Sequence, residues 1–222
     1  MRKLFILILA LGFSAQLSAQ NFQFHYDFGE DRDYVTTTFE MFKLDEYGAT
    51  FWFVDMDYNN RHDGFKSASL SYLEIARYIN LPWVEGLSAT LQYNDGLVGG
   101  FPLGPIWLAG GSYPVSIGNF TINTDLLYRH AYNSDAPDVQ LTAVWFHPFL
   151  DGKISFAGFL DIWTQDDFVE DGKEFVLLTE PQLWYNFGDH LSLGTELEIS
   201  KNFLPATDDL ELMPTLGMKW QF

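Results

Sequence analysis

The sequence contains no cysteine, has few basic residues and, beyond its N-terminus, has no long hydrophobic run. Without cysteine there is no disulfide framework, thiolate nucleophile or cysteine-ligated metal site. The 12 Lys and Arg face 30 Asp and Glu, for a net charge of −18. Because nucleic acids are held mainly by Lys and Arg, this charge excludes a nucleic-acid partner. A transmembrane helix is also excluded, since it needs about 20 apolar residues in succession.

Apolar and aromatic residues are abundant, at 47% and 18% of the chain. An acidic chain that stays disordered has too few such residues to form a core. The sequence therefore predicts a packed fold, and its composition suggests neither a cofactor nor a metal site.

The first nineteen residues have the pattern of an export signal. Arg2 and Lys3 precede an apolar run over 4–13, and small residues lead up to Ala19. This run is too short to span a bilayer and is typical of a cleaved signal peptide. We expect cleavage after Ala19 and a single mature domain over 20–222 with a charge of 10 − 30 = −20.

The mature chain is a series of segments in which apolar and polar residues alternate. In the segment 190–201, Leu193 and Leu197 fall on one face, and Glu196 and Glu198 fall on the other. Alternation with a period of two indicates β-strands with one apolar and one polar face. Twelve such segments can be counted, at roughly 22–28, 34–43, 48–57, 67–78, 86–94, 105–113, 119–132, 138–147, 153–163, 174–187, 190–201 and 211–222.

Aromatic residues at the strand ends favour a membrane barrel over a soluble one. Membrane barrels carry aromatic girdles at both interfaces, which soluble barrels do not need. The aromatic residues near predicted strand ends are Tyr26, Phe28, Trp145, Tyr185, Phe187, Trp220 and Phe222. The ending with Gly217, Trp220 and Phe222 also resembles the signal that the outer-membrane barrel assembly machinery reads, so we expect that machinery and outer-membrane lipid as partners.

The connections between segments alternate in length. The longer and more acidic ones are expected at 29–33, 58–66, 95–104, 133–137, 164–173 and 202–210. The shorter ones, mostly built on Gly or Pro, fall at 44–47, 79–85, 114–118, 148–152 and 188–189. Bacterial barrels have short periplasmic turns and long extracellular loops. We therefore predict an all-β, twelve-stranded antiparallel barrel in the bacterial outer membrane, with both termini in the periplasm.

With the apolar face outward, the polar face lines a lumen that is rich in carboxylates and aromatic rings. Such a lumen repels anions and admits neutral or cationic solutes. The same charges are equally consistent with a wall that is only hydrated and cross-linked by ion pairs. The pattern leaves open which way Tyr72 and Trp107 face. The charged and polar lumen candidates are His25, Asp27, Glu40, Asp55, Asp57, Glu74, Asp125, Arg129, Asp161, Glu180, Gln182, Glu196, Glu198 and Lys219. The aromatic ones are Phe51, Phe53, Tyr72, Phe159, Trp163 and Trp184.

Two stretches, 34–58 and 71–75, resemble the Tsx-like nucleoside-specific channel-forming proteins. The first reads TFEMFKLD into YG and then FWFVDMD, and the second reads SYLEI. The resemblance implies a twelve-stranded outer-membrane barrel with a narrow, aromatic-lined channel for nucleosides. It carries Glu40, Phe53, Asp55, Tyr72 and Glu74 over as lumen residues.

Two other functional classes stay open at this point. One is a closed structural or surface-interaction barrel without transport. The other is an outer-membrane lipid hydrolase, with His130 or His147 as base and Ser134 as nucleophile. The run from Asp55 to Asn59 imitates the start of a calcium loop, but Asn60 replaces its glycine and Lys66 its glutamate, so calcium binding is not expected.

Overall fold

The computed structural model describes residues 18–29, 32–59, 66–132, 134–167, 171–203 and 209–222. Most of the predicted signal peptide and Asn60 lie outside these residues. Within them, no helix is long and apolar enough to cross a membrane. The described strands are β1 (Ser18–Asp27), β2 (Tyr34–Asp45), β3 (Gly48–Tyr58), β4 (Leu70–Asn80), β5 (Ser88–Val98), β6 (Phe101–Pro102), β7 (Ile106–Ile117), β8 (Phe120–Ala131), β9 (Asp138–Phe149), β10 (Ile154–Asp166), β11 (Lys173–Thr179), β12 (Gln182–Asn186), β13 (Leu191–Lys201) and β14 (Leu210–Gln221).

These strands form one closed antiparallel barrel with twelve strand positions. β6 is a two-residue pairing beside β5, and β11 and β12 together occupy one strand position. β10 pairs Leu160 with Thr179 and Ala157 with Gln182, so its register is the same on both sides of the gap. The ladder is interrupted because Pro181 has no N–H to donate. The pairing of β14 with β1 closes the barrel, and the twelve predicted strands are confirmed.

The alternation in each strand separates an apolar outer surface from a polar interior. Phe22 and Phe24 of β1 are each 39% exposed on the outside. Gln23 and His25 are each 3% exposed, because they point inward. A closed barrel with an apolar outer surface is the architecture of bacterial outer-membrane proteins, since it leaves no unpaired backbone edge in the lipid. The chain is such a protein.

The two ends of the barrel differ. β1 begins and β14 ends at one end, called here the terminal end, where the connections are 46–47, 81–87, 118–119, 150–153 and 187–190. The other end, called here the loop end, has the connections 28–33, 59–69, 99–105, 132–137, 167–172 and 202–209. The predicted alternation of short and long connections is therefore present except at 81–87, which is as long as the connection 99–105. The assignment of the terminal end to the periplasm stays a prediction.

Exposed aromatic side chains mark the outer surface near both ends. Tyr26 and Phe28 lie near the loop end, and Trp220 and Phe222 lie at the terminal end. Trp145 departs from this pattern, because β9 continues to Phe149 and leaves Trp145 half-buried and set back from the end. The arrangement matches the two aromatic girdles of membrane barrels.

Candidate functional site

The strand register places the sequence-predicted lumen residues on the inner face of the barrel. Glu40 lies opposite Phe53, and Phe53 lies opposite Glu74. The same alternation continues through the other strands, and it turns Tyr72 inward and Trp107 outward. The candidates on the inner face are Glu40, Phe51, Phe53, Asp55, Asp57, Tyr72, Glu74, Asp125, Arg129, Asp161, Glu180, Trp184, Glu196 and Glu198.

Two regions of this inner face differ in how far water reaches them. The accessible strip comprises Glu40, Phe51, Phe53, Asp55, Asp57, Tyr72 and Glu74 on β2, β3 and β4, all of them half-buried. The packed wall comprises Thr90, Gln92, Asn94, Leu108, Ser112, Asp125, Leu127, Arg129, Asp138 and Gln140 on β5, β7, β8 and β9, all of them buried. Both sets face inward, so the difference lies in what each side chain contacts.

Aromatic rings run along the accessible strip. The ring centroids of Phe51 and Phe53 are 5.9 Å apart, and those of Phe53 and Tyr72 are 6.0 Å apart. Tyr72 lies close to Gly96 of the next strand, where an added Cβ would come within 3.1 Å of its ring. It would come closer still, to 2.7 Å, to the backbone oxygen of Ser71, so a glycine is needed beside Tyr72.

Most carboxylates of the strip have neutral hydrogen-bond donors. Tyr72 Oη donates to Glu74 Oε1 at 2.7 Å, and Asn94 Nδ2 donates to the same oxygen at 2.8 Å. Asn21 Nδ2 donates to Glu40 at 2.8 Å. Asp55 has a hydrogen bond with the side chain of Thr38, but its Oδ1 is buried without a partner. Asn94 was missed as a site residue, although its alternation with Gln92 and Thr90 in the fifth segment was a usable signal.

Further carboxylates come within electrostatic reach of the strip from other strands. Asp161 of β10 interacts with Glu74 in this way. Asp55 interacts with Glu180 and Glu196 of the β11 to β13 region. Arg129 is the basic residue that interacts with Glu74 and Asp161. The interior next to the strip thus has an excess of negative charge, because carboxylates from several strands point toward it.

The packed wall is held together by side-chain hydrogen bonds. Asp125 is only 2% exposed, and it accepts hydrogen bonds from Tyr78 Oη at 2.9 Å and from Gln92 Nε2 at 3.0 Å. Arg129 lies over the ring of Trp163, 5.4 Å from its centroid. The sequence proposed Asp125 and Arg129 as ligand-binding candidates, but here both are engaged with neighbouring side chains.

A second packed patch surrounds Trp184, which is fully buried. An added Cβ on Gly194 would lie 2.5 Å from this ring, and one on Gly217 would lie 2.8 Å from it. Lys219 Nζ sits 4.1 Å from a ring centroid of Trp184, a cation–π distance. Trp184 is therefore inaccessible to a solute here, and Gly217 has a packing role in addition to its predicted place in the assembly signal.

Arg32 connects the loop end to the inner wall. Its guanidinium donates to Asp27 at 2.8 Å and to both oxygens of Glu198, at 2.9 and 3.1 Å. Burial by itself lowers the pKa of Arg32, but Glu198 and Asp27 outweigh that effect and hold the pKa above its usual value. Glu198 is thus part of a charged clamp near the loop end, which ties the first connection to β13.

The residues considered for a lipid hydrolase do not form the expected pair. Ser134 Oγ donates to Asp138 at 3.0 Å and accepts from Lys173 Nζ at 3.2 Å. His130 is exposed on the outer surface, opposite Trp107. His147 packs against the rings of Phe120 and Phe149. The hydroxyl of Ser134 is therefore bonded to an acid and an amine, with neither histidine as its partner.

Comparisons with known proteins give a family and a fold. The family model described as "Domain of unknown function (DUF5020)" matches residues 19–222. No curated protein sequence gives a significant match. The KdgM porin has a similar structure, with a TM-score of 0.55, 7% identity, and coverage of 92% of this chain and 99% of its own. At that identity the likeness shows the barrel fold alone.

Two further solved structures are similar at lower scores. The translocator domain of the autotransporter NalP from Neisseria meningitidis has a TM-score of 0.47 and 12% identity, covering 92% of this chain and 88% of its own. The outer membrane protein Omp33 from Acinetobacter baumannii has a TM-score of 0.44 and 13% identity, covering 93% of this chain and 98% of its own.

Proposed function

Because the chain belongs to the DUF5020 family, whose description names no activity, we propose its function from the barrel interior: a passive outer-membrane channel for small polar solutes, with nucleosides as the solute class. The observation that carries this proposal is the accessible strip. Its side chains face inward and are nevertheless partly reached by water. A barrel interior completely filled by side chains would leave no such surface.

The charge of the strip favours some solutes over others. Glu40, Asp55, Asp57 and Glu74 line it, and Asp161 adds a further carboxylate from β10. Carboxylates around a passage lower the local concentration of anions and raise that of cations. Nucleotides, which carry phosphates, are therefore excluded relative to nucleosides.

The rings and carboxylates of the strip suit the two halves of a nucleoside. A base stacked on an aromatic side chain such as Phe53 or Tyr72 gains about 1–3 kcal/mol in single-strand binding proteins. The ribose hydroxyls donate well to a carboxylate, as they do at the acidic residue of dinucleotide sites. The resemblance of 34–58 to nucleoside-specific channels and the porin name of the KdgM fold neighbour support the same proposal.

The test is solute flux through the purified protein in liposomes. We expect swelling rates in the order nucleoside, then a sugar of equal size, then nucleoside monophosphate. Equal rates for nucleoside and sugar would remove the nucleoside specificity and leave the channel. The absence of flux for every solute would remove the channel and favour a closed structural barrel, which the packed wall would then explain.

A further inference from the structure

We infer that Asp55, Asn94 and the rings of Phe53 and Tyr72 form a binding site for a flat organic cation, such as an amidinium or guanidinium group. The inference goes beyond the proposed function, which names a neutral solute, and rests on it for access, because the cation would reach the site through the lumen. Its four members lie side by side on β3, β4 and β5, where Asp55 is opposite Tyr72 and Asn94 is opposite Glu74.

Two buried hydrogen-bond acceptors at this place have no donor. They are Asp55 Oδ1 and Asn94 Oδ1. Asn94 is only 8% exposed, and its Nδ2 donates to Glu74 Oε1 at 2.8 Å and to Tyr72 Oη at 3.2 Å. These two bonds fix which way the amide points, so its oxygen is the end left over. Buried acceptors are almost always paired in folded proteins, and the missing component here is a donor.

The charges around Asp55 favour a positively charged donor over a neutral one. The charged groups that act most strongly on it are the carboxyls of Asp57 and Glu40. Asp55 in turn acts on the carboxyls of Glu74 and Glu196. A neutral donor would satisfy the hydrogen bond at Asp55 but would leave the repulsion between these carboxyls. A cation does both.

The surroundings of Asp55 suit a planar organic cation better than a metal ion. Among the residues that the structure describes, no group of three or more His, Cys, Asp or Glu side chains is arranged to hold a metal ion. Aromatic rings stand between the carboxylates instead, with Phe53 and Tyr72 at 6.0 Å and tilted by 54°. A planar cation with several N–H donors can lie on a ring and donate to a carboxylate at its edge. This combination favours an amidinium or guanidinium group over a metal ion.

The test compares benzamidine with benzamide, which has nearly the same shape but no charge. Binding to the purified mature barrel in detergent is measured by calorimetry at pH 7. We expect benzamidine to bind about tenfold more tightly than benzamide. We expect Asp55→Asn to weaken benzamidine binding by about tenfold and to leave benzamide binding within about twofold.

Glu174→Gln is the matched control. Glu174 is also an inner-face carboxylate, but it lies on β11 and accepts a hydrogen bond from Gln165 at 2.9 Å. Its substitution is expected to change benzamidine affinity by less than about twofold. Phe53→Leu removes the ring and is expected to weaken benzamidine binding by about threefold to tenfold.

Each outcome decides one of the two proposals. Equal affinity of the wild-type barrel for benzamidine and benzamide overturns the cation site, and that comparison needs no variant to fold. Equal losses in Asp55→Asn and Glu174→Gln also overturn it, because the effect is then the general charge of the lumen. Benzamidine binding without solute flux in liposomes keeps the site and removes the channel, whereas flux without binding does the reverse.

Discussion

The accessible strip and the packed wall have the same alternation and the same inward direction, but their polar groups have different partners. In the packed wall, Asp125 is enclosed by donors from Tyr78 and Gln92. In the accessible strip, Asp55 keeps an oxygen without any donor. The comparison teaches that a polar inner face is not by itself a lumen. A polar inner face can receive a solute where a buried group such as Asp55 Oδ1 is left without a donor, and Asn94 Oδ1, on the strand of the packed wall next to the strip, shares this property.

The largest loss of stability is expected for a substitution in the packed wall that disturbs the contact between two backbones. An added Cβ on Gly110, on the inner face of β7, would lie 2.0 Å from the carbonyl oxygen of Leu126. A backbone atom cannot move aside as a flexible side chain can, so Gly110→Ala is expected to lower the free energy of unfolding by about 1–3 kcal/mol or more. Urea titration of the refolded barrel in lipid vesicles measures it.

Gly111→Ala is the control for that substitution. Gly111 is the next residue of the same strand, but it faces outward, and its added Cβ would meet nothing closer than 3.9 Å. We expect its free energy of unfolding to stay within about 0.5 kcal/mol of the wild type. Equal losses in the two variants would show that the close approach of β7 to β8 is not a property of the inner face.

A smaller difference in stability is expected between two variants that each lose a tyrosine hydroxyl, one in the packed wall and one in the accessible strip. Tyr78→Phe removes a donor from Asp125, which is buried and cannot replace it with water, so a loss of about 1–3 kcal/mol is expected. Tyr72→Phe removes a donor from Glu74, which is half-buried and keeps Asn94. Its loss is expected to stay below about 1 kcal/mol. A larger loss for Tyr72→Phe, in the same urea titration, would contradict the division into two regions.

The strands, and which side chains point inward or outward, could be predicted because the alternation of apolar and polar residues is visible in the sequence itself. The segment 190–201 needs no knowledge of its neighbours for Glu196 and Glu198 to be placed together on one face. The terminal aromatics Trp220 and Phe222 are outward for the same reason. Local alternation also separated β13 from β14 with ends correct to within a residue.

Accessibility could not be predicted, because it depends on residues far apart in the chain. Asp125 is buried because Tyr78, 47 residues earlier, reaches it from another strand. Trp184 is buried because Gly194 and Gly217 on the next two strands leave room for its ring. In the sequence, an aromatic residue on a polar face predicts a stacking surface whether its ring turns out to be buried or accessible. Only the cross-section of the closed barrel decides which rings a solute can reach.

The smallest change in stability is expected for Asp55→Asn, in the middle of the accessible strip. The substitution removes one negative charge from a group of carboxyls that includes Asp57 and Glu40, so it relieves repulsion. Oδ1 has no hydrogen bond to lose, and asparagine keeps one side-chain oxygen that can accept the hydrogen bond from Thr38. We therefore expect the free energy of unfolding to fall by no more than about 0.5 kcal/mol, or to rise. A loss comparable to that of Tyr78→Phe would mean that the Asp55 carboxylate stabilises the barrel, as Asp125 does. Asp55 would then belong to the structural part of the barrel and not to the accessible strip.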